Sequence, residues 1–339
     1  MITIDGSFGE GGGQIIRTSL GLSLVTGKPF RIDKIRAKRK NPGLQKQHLM
    51  SVLASAEIGN ADVTGATLNS QEITFTPKEI KHGEFDFDIG TAGSTSLVFQ
   101  TVLPALIVSD KETKLTIRGG THNPLAPPFD FLTKTFLPLL EKMGIKIEVE
   151  LIRYGFYPSG GGEVNFKIPS TNKLRPIHIN ERGKQISQSA TALIANLPLH
   201  IAERELNVVR RSLDWDEKDL KSEVVKNVRD SANVVSIAVE FEKLTEVFTG
   251  IGKRGKPAEE VARDTARDVK NYLKSTAPVG EYLADQLLIP FALTGSGSYT
   301  TGKLSDHTTT NIEVIKKFLD VEIKKIQVDE NLWRIEIGD

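Results

Sequence analysis

The sequence predicts an α/β (α+β) chain in two parts: a larger body of repeated strand–turn–helix units and a smaller inserted α/β domain. Three observations carry this reading. Short apolar strands run into glycine-rich turns and then into helices at several places. Two distant stretches echo each other, GTAGSTSLVFQTVLPAL (Gly90 to Leu106) and YLADQLLIPFALTGSG (Tyr282 to Gly297). The region 181–275 has another texture, richer in charge and without glycine turns of that kind. At 339 residues the chain is also too long for one small core.

Each element follows in order. Ile2, Thr3 and Ile4 read as a strand, Gly6 to Gly13 as the turn, and Gln14 to about Leu24 as a helix. A basic run, Arg36, Lys38, Arg39 and Lys40, precedes Asn41-Pro42-Gly43, and a helix follows with Gln47 and His48. The second unit repeats the scheme: strand Phe85 to Ile89, turn Gly90 to Gly93, helix Thr95 to about Val108. The Pro-rich NPLAPPFD opens a helix over Asp130 to Lys142, Gly144 stops it, and Ile145 to Leu151 is the next strand. GFYPSGGGEV (Gly155 to Val164) reads as a turn or bulge. In the insert, Val234 to Phe241 alternates as a half-buried strand does. Lys256 to Lys274 is amphipathic, with Ala258, Val261, Ala262, Ala266, Val269 and Leu273 on one face. A last helix starts near Gly280 and carries Asp285 and Gln286. Pro104 and Pro290 both lie inside apolar helical patterns, four residues after Gln100 and Gln286. A helix-interior proline removes a hydrogen bond and kinks the helix, so its recurrence at one offset reads as internal duplication. The expected division is therefore residues 1–180 plus 276–339 as the larger part and 181–275 as the insert.

Bulk properties exclude several functions. Lys+Arg 44 against Asp+Glu 43 leaves a net charge of +1, so a polyanion must be met by a local patch. The absence of cysteine removes disulfides, thiolate zinc sites and cysteine nucleophiles together. No apolar run reaches the roughly 18 residues needed to span a bilayer, and MITIDGSFGEGGG lacks the charged start and apolar core of a signal peptide. The expectation is a cytoplasmic protein without a membrane partner.

A few residues point to chemistry. FGEGGGQIIR sets Glu10 among glycines ahead of a helix. Backbone N–H groups there favour an anion, and the carboxylate is placed to hold a divalent metal bridged to phosphates; a tight turn is the plainer alternative. The Arg36 to Lys40 run suits phosphates or a solvated loop, with no aromatic interleaving for base stacking. Gly93, Ser94 and Ser96 leave room beside Gln100, which, with Glu281 to Gln286, marks a candidate nucleotide pocket. His307, one of six histidines, lies among Ser305, Asp306, Thr308 to Thr310 and Asn311, not on an apolar face. A neutral imidazole is a nucleophile for phosphoryl transfer through an N–P intermediate. Alone, such a histidine reads as a surface or capping residue.

Together, DGSFGEGGGQIIR, IRAKRKNPGLQKQHL, GTAGSTSLVFQTVLPAL, GGTHNPLAPPFDF, GFYPSGGGEV, EYLADQLLIPFAL and HTTTN resemble the RNA 3′-terminal phosphate cyclase family, in family order from Asp5 to Asn311. The resemblance implies a larger domain of three units, each two helices on a four-stranded sheet, as in the C-terminal domain of a bacterial translation initiation factor. It implies thioredoxin-like elements in the insert. It also implies ATP-dependent conversion of an RNA 3′-phosphate to a 2′,3′-cyclic phosphate with a divalent metal, Mg²⁺ or Mn²⁺. By motif, His307 would attack the α-phosphate of ATP and become AMP-histidine. Gln100 and Tyr282, Leu283, Ala284, Asp285 and Gln286 would line the ATP pocket. Glu10 would hold the metal, and Arg17, Arg36, Arg39 and Gln47 would contact phosphates of ATP or RNA. Two positions depart from the family pattern. Tyr154, preceded by Arg153, stands where members often have a basic residue, and Arg229-Asp230-Ser231-Ala232-Asn233 stands where members often have Arg-Gly-Pro-Gly-Asn. The alternative within the family is a non-catalytic ribosome-biogenesis branch that lacks the nucleophile; retention of His307, Glu10, Gln100 and Asp285 disfavours it. An enolpyruvyl transferase shares only a related repeated architecture.

Overall fold

The computed structural model describes residues 1–171 and 174–338. Residues 2–76 form β1 (Ile2–Asp5), α1 (Gly13–Thr26), β2 (Phe30–Asp33), α2 (Lys46–Ile58), β3 (Asp62–Thr64) and β4 (Ile73–Thr76). Residues 83–168 form β5 (Gly83–Asp88), α3 (Thr95–Leu106), β6 (Thr113–Gly119), α4 (Phe129–Phe131), a π-helical turn (Leu132–Phe136), α5 (Leu137–Lys142), β7 (Glu148–Arg153) and β8 (Gly162–Ile168). Then come β9 (His178–Ile179), β10 (Gln185–Ala195), α6 (His200–Leu213), β11 (Leu220–Val225), β12 (Ala232–Phe241), β13 (Thr245–Ile251) and α7 (Ala258–Lys274). The chain closes with α8 (Glu281–Thr294), β14 (Gly297–Thr301), α9 (Asp306–Phe318), β15 (Ile323–Asp329) and β16 (Leu332–Ile337).

Three four-stranded sheets share one order: β1-β2-β4-β3, β5-β6-β8-β7 and β9-β14-β16-β15. In each, the first strand pairs parallel with the second, across a helix, and the last two form an antiparallel pair. Alternation along the strands explains their placing: every second residue of β8 is buried, so one face meets helices and the other meets water. One hydrophobic core runs through all three. At its centre is α1, buried on nearly every side from Gln14 to Leu24. Its polar residues are buried along with its aliphatic ones, and α1 packs against α2, α3 and α9. Gly21 allows the closest approach: a Cβ there would lie 2.8 Å from the carbonyl oxygen of Thr101 on α3.

The fourth sheet, β11-β10-β12-β13, belongs to residues 185–251, with α6 and α7 packed together and a core of its own around Val209, Trp215, Ile237, Val261 and Val269. This excursion leaves the chain between β9 and α8. That is the place held in the other two sheets by the glycine turns before α1 and α3. Its two ends are tied together. Arg182 lies over the rings of Phe241 and Tyr272, at 5.2 and 4.4 Å from their centroids, and donates to the carbonyls of Tyr272 and Ser275. The Tyr272 hydroxyl donates to Pro278 O at 2.7 Å. Glu246 on β13, 3% exposed, accepts the Gly280 N–H at 2.6 Å, at the start of α8.

Two expected boundaries move. The Asp130–Lys142 helix begins at Phe129 and passes through the π-helical turn. The strand placed at Ile145 starts at Glu148, because the Ile145 N–H completes the end of α5 by donating to Leu140 O. The glycine loop that follows Tyr154 lies close to the Arg229–Asn233 segment. The Asp230 carboxylate accepts from the Ser159 N–H at 3.0 Å, and Gly161 faces the Arg229 side chain. Among the described residues no helix is long and apolar enough to cross a membrane.

Candidate active site

The start of α9 and the start of α1 converge. Ser305 caps α9, its Oγ accepting the Thr308 N–H at 3.2 Å, so His307 stands in the first turn, where free backbone N–H groups favour an anion. The His307 side chain is 52% exposed. Its Nδ1 lies 3.0 Å from Gln14 Oε1 and its Nε2 lies 3.8 Å from Glu10 Oε1. The Glu10 side chain is only 8% exposed, pairs with Arg39, and leaves Oε2 buried without a hydrogen-bond partner. The Glu10 N–H donates to Thr310 Oγ1 at 3.1 Å, which joins the glycine turn to α9. Gly12 is required by this geometry, since a Cβ there would fall 2.2 Å from Glu10 Oε1.

Behind the ring runs a buried polar chain. Gln14 Nε2 donates to Asp285 Oδ2 at 2.6 Å, Asn311 Nδ2 donates to Asp285 O at 3.0 Å, and Thr18 Oγ1 donates to Asn311 Oδ1 at 2.7 Å. Burial pushes the Asp285 carboxyl up to about 7, against the pull of the Arg17 guanidinium. Burial likewise brings Arg17 down to about 10, opposed by Asp285. His48 falls to about 3, from burial first and then from Arg17 and Arg36. His307 is lowered by burial and by Arg17 and Arg39, so at pH 7 its ring is neutral.

The remaining expected site residues divide by what they touch. Gln100 Nε2 donates to Gln286 Oε1 at 2.6 Å, so the two echoed glutamines meet, and Gln286 Nε2 donates to Tyr282 O. Tyr282 is 78% exposed beside them. Leu283 and Ala284 are buried at 0% and 1%, the helical period turning their side chains into the core. Arg36 braces its own loop, donating to Asn41 O and Gly43 O at 2.6 and 2.9 Å. Gln47 Oε1 accepts the Ser94 N–H at 2.7 Å, at the cap of α3, leaving its amide N–H groups for a ligand. Gln14, Thr18, Thr310 and Asn311 were given no role by sequence reasoning. For Gln14 and Thr18 the signal was the spacing Gln14–Arg17–Thr18, which puts three polar residues on one face of α1.

Among the described residues no cluster of three or more His, Cys, Asp or Glu side chains stands ready for a metal. A single buried carboxylate with an unpartnered oxygen nevertheless suits a cation that takes its other ligands from phosphates and water.

A family model described as RNA 3′-terminal phosphate cyclase matches residues 8–325. The chain is 48% identical over 338 residues to the RNA 3′-terminal phosphate cyclase of Koribacter versatilis (strain Ellin345), covering 100% of this chain and 95% of that protein. It is 47% identical to the one of Ectopseudomonas mendocina (strain ymp) over 99% of this chain and 98% of that protein. It is 46% identical to the one of Ralstonia nicotianae (strain ATCC BAA-1114 / GMI1000) over 99% and 97%.

Proposed function

The chain belongs to the RNA 3′-terminal phosphate cyclase family, and from that premise we propose that it turns an RNA 3′-phosphate into a 2′,3′-cyclic phosphate at the expense of ATP, through AMP bound to His307. An unactivated phosphate monoester has no good leaving group, and adenylylation installs one. His307 Nε2 supplies an electron pair to the α-phosphorus, and the bond to the β-phosphate oxygen breaks with its pair leaving on pyrophosphate. The RNA 3′-phosphate then takes the adenylyl group, the electron pair of the N–P bond returning to Nε2. The vicinal 2′-OH attacks the activated phosphate, loses its proton and expels AMP; only an RNA end carries that hydroxyl. Arg39 and Arg17 oppose the charge that builds on the phosphates, Gln47 donates to them, and the first-turn N–H groups of α9 do the same. A divalent metal held by Glu10 would neutralise the departing pyrophosphate. Gln100, Gln286 and Tyr282 take the nucleoside end. Residues 181–275 are an inserted domain on a catalytic body of 1–180 and 276–339, and the working compartment is the cytoplasm.

The observation that carries the reading is the neutral, half-exposed His307 ring at a helix start, with Glu10 and Arg39 gathered beside it. Incubation with α-labelled ATP and Mg²⁺ or Mn²⁺ should label the wild-type chain and leave His307→Ala unlabelled. Label persisting on the alanine variant removes His307 from this role.

A further inference from the structure

The nucleophilic nitrogen of His307 must carry a lone pair, and imidazole offers two candidates. Which nitrogen holds the proton is set by what faces the other. Here the other nitrogen, Nδ1, faces Gln14 Oε1 at 3.0 Å. A glutamine side chain on its own does not settle the matter, because its amide can turn and present –NH₂ in place of the oxygen. Asp285 removes that freedom. Above about pH 7, where Asp285 is ionised, its carboxylate accepts and does not donate, so the amide nitrogen of Gln14 must point at Asp285 Oδ2, 2.6 Å away. The oxygen of Gln14 is then left for His307, and an oxygen accepts only from a protonated Nδ1.

Asp285 is itself held. The Asn311 amide donates to its backbone carbonyl, Thr18 in turn orients Asn311, and Arg17 lies within electrostatic reach. Gln14 is 7% exposed and rises from the buried α1, so its amide has no room to swing into water.

We propose that Gln14 and Asp285 are positioning residues that lock His307 in the Nδ1–H tautomer, leaving the Nε2 lone pair directed at the side where Glu10 lies. The proposal rests on the adenylylation reading above and adds to it the device that selects the attacking atom. When Nε2 forms its bond to phosphorus, the Nδ1 proton stays where it is and the ring gains positive charge. The Gln14 oxygen, polarised through its amide by the Asp285 carboxylate, stabilises that charge; when the N–P bond later breaks, the neutral ring returns to the same hydrogen bond. No proton has to be moved in either direction.

The test is long-range ¹H–¹⁵N NMR of the full chain carrying ¹⁵N-histidine, with the His307 signals assigned by their loss in His307→Ala. At about pH 8.5, where Asp285 is ionised, wild type should show Nδ1 as the protonated nitrogen; an Nε2–H ring in wild type at that pH overturns the proposal without recourse to a variant. Gln14→Met keeps length and removes both hydrogen bonds. Its His307 should shift toward the Nε2–H form that free histidine prefers in water, and single-turnover self-adenylylation should slow by about tenfold, the size of one hydrogen bond, with ATP affinity unchanged. Asp285→Asn, which frees Gln14 to turn, should shift the tautomer in the same direction. If Gln14→Met labels at the wild-type rate while His307→Ala does not label, the lock is wrong and the adenylylation reading stands. If His307→Ala labels, the adenylylation reading itself is lost, whatever Gln14 does.

Discussion

Gly13→Ala adds one methyl group at the first residue of α1 and should slow self-adenylylation without unfolding the chain. The new Cβ would lie 2.3 Å from His48 Nε2 and 2.9 Å from Arg17 Nη1. Ordinary contact begins at 3.4 Å, so the His48 ring must retreat by about 1.1 Å. It is not free to do so. His48 Nδ1 accepts the Gln45 N–H at 3.3 Å in the capping box that starts α2, and the ring is largely buried against Arg17. Overpacking of this kind costs about 1–3 kcal/mol, and alanine returns about 1 kcal/mol of helix propensity. Carried by the position of Arg17, the net of about 0–2 kcal/mol corresponds to at most roughly 30-fold in rate. The assay is single-turnover labelling with α-labelled ATP, with circular dichroism to verify the fold. His48→Ala in the same chain removes the obstructing ring, so the double variant should label faster than Gly13→Ala alone. Wild-type labelling by Gly13→Ala, or a double variant no better than the single one, refutes the packing argument.

Other outcomes follow from charge and burial. The His307 pKa is depressed, so if the ring alone governs labelling, the loss on acidification should come at a lower pH than free histidine would give. Asp285 titrates near 7, and once protonated it can donate to Gln14 and release the amide. A decline centred near pH 7 that Asp285→Asn abolishes therefore identifies Asp285 as the titrating group. Glu246 is raised to about 8 by burial, with the Gly280 N–H pulling the other way. The native chain thus keeps a proton that the unfolded chain has lost, and that stability drains away as pH rises toward 8. Asp285 and Glu205, both near 7, act with the same sign, while the depressed histidines matter only below 6.5. Melting temperature should fall between pH 6.5 and 8, and Glu246→Gln should flatten that fall; an unaltered slope would show Glu246 to be ionised throughout. Lys38→Gln with Lys40→Gln should weaken binding of a 3′-phosphate RNA and lower its salt slope by about 1 for each lost phosphate contact. An unchanged slope means that the loop points elsewhere.

Much of the body was readable from local pattern. Glycine turns before helices, Pro104 and Pro290 inside apolar helices, and most of the face of α7 follow from short-range rules that the structure obeys, but Leu273, expected on that face, is exposed and Tyr272 turns inward in its place. The meeting of Gln100 with Gln286 is consistent with the echo between their segments, although no spacing rule gives a contact across 186 residues. Other features depended on distant partners. Leu283 and Ala284 sit in a motif beside polar neighbours, yet the helical period decides which of them see the core. Arg36 reads as a free cation until its own loop turns carbonyls toward it. Gln14 is one amide in a helix of aliphatic residues, and its importance appears only when α8 and α9 bring Asp285 and His307 to either side.

The Glu246–Gly280 hydrogen bond gives the smaller lobe a grip on the larger one at a sensitive spot. Gly280 opens α8, whose first two turns carry Tyr282, Asp285 and Gln286. Because both ends of the excursion are fastened within a few residues of that helix, a tilt of the lobe cannot be absorbed by a slack tether. Any such tilt would bear first on Gly280, at the opening turn of α8.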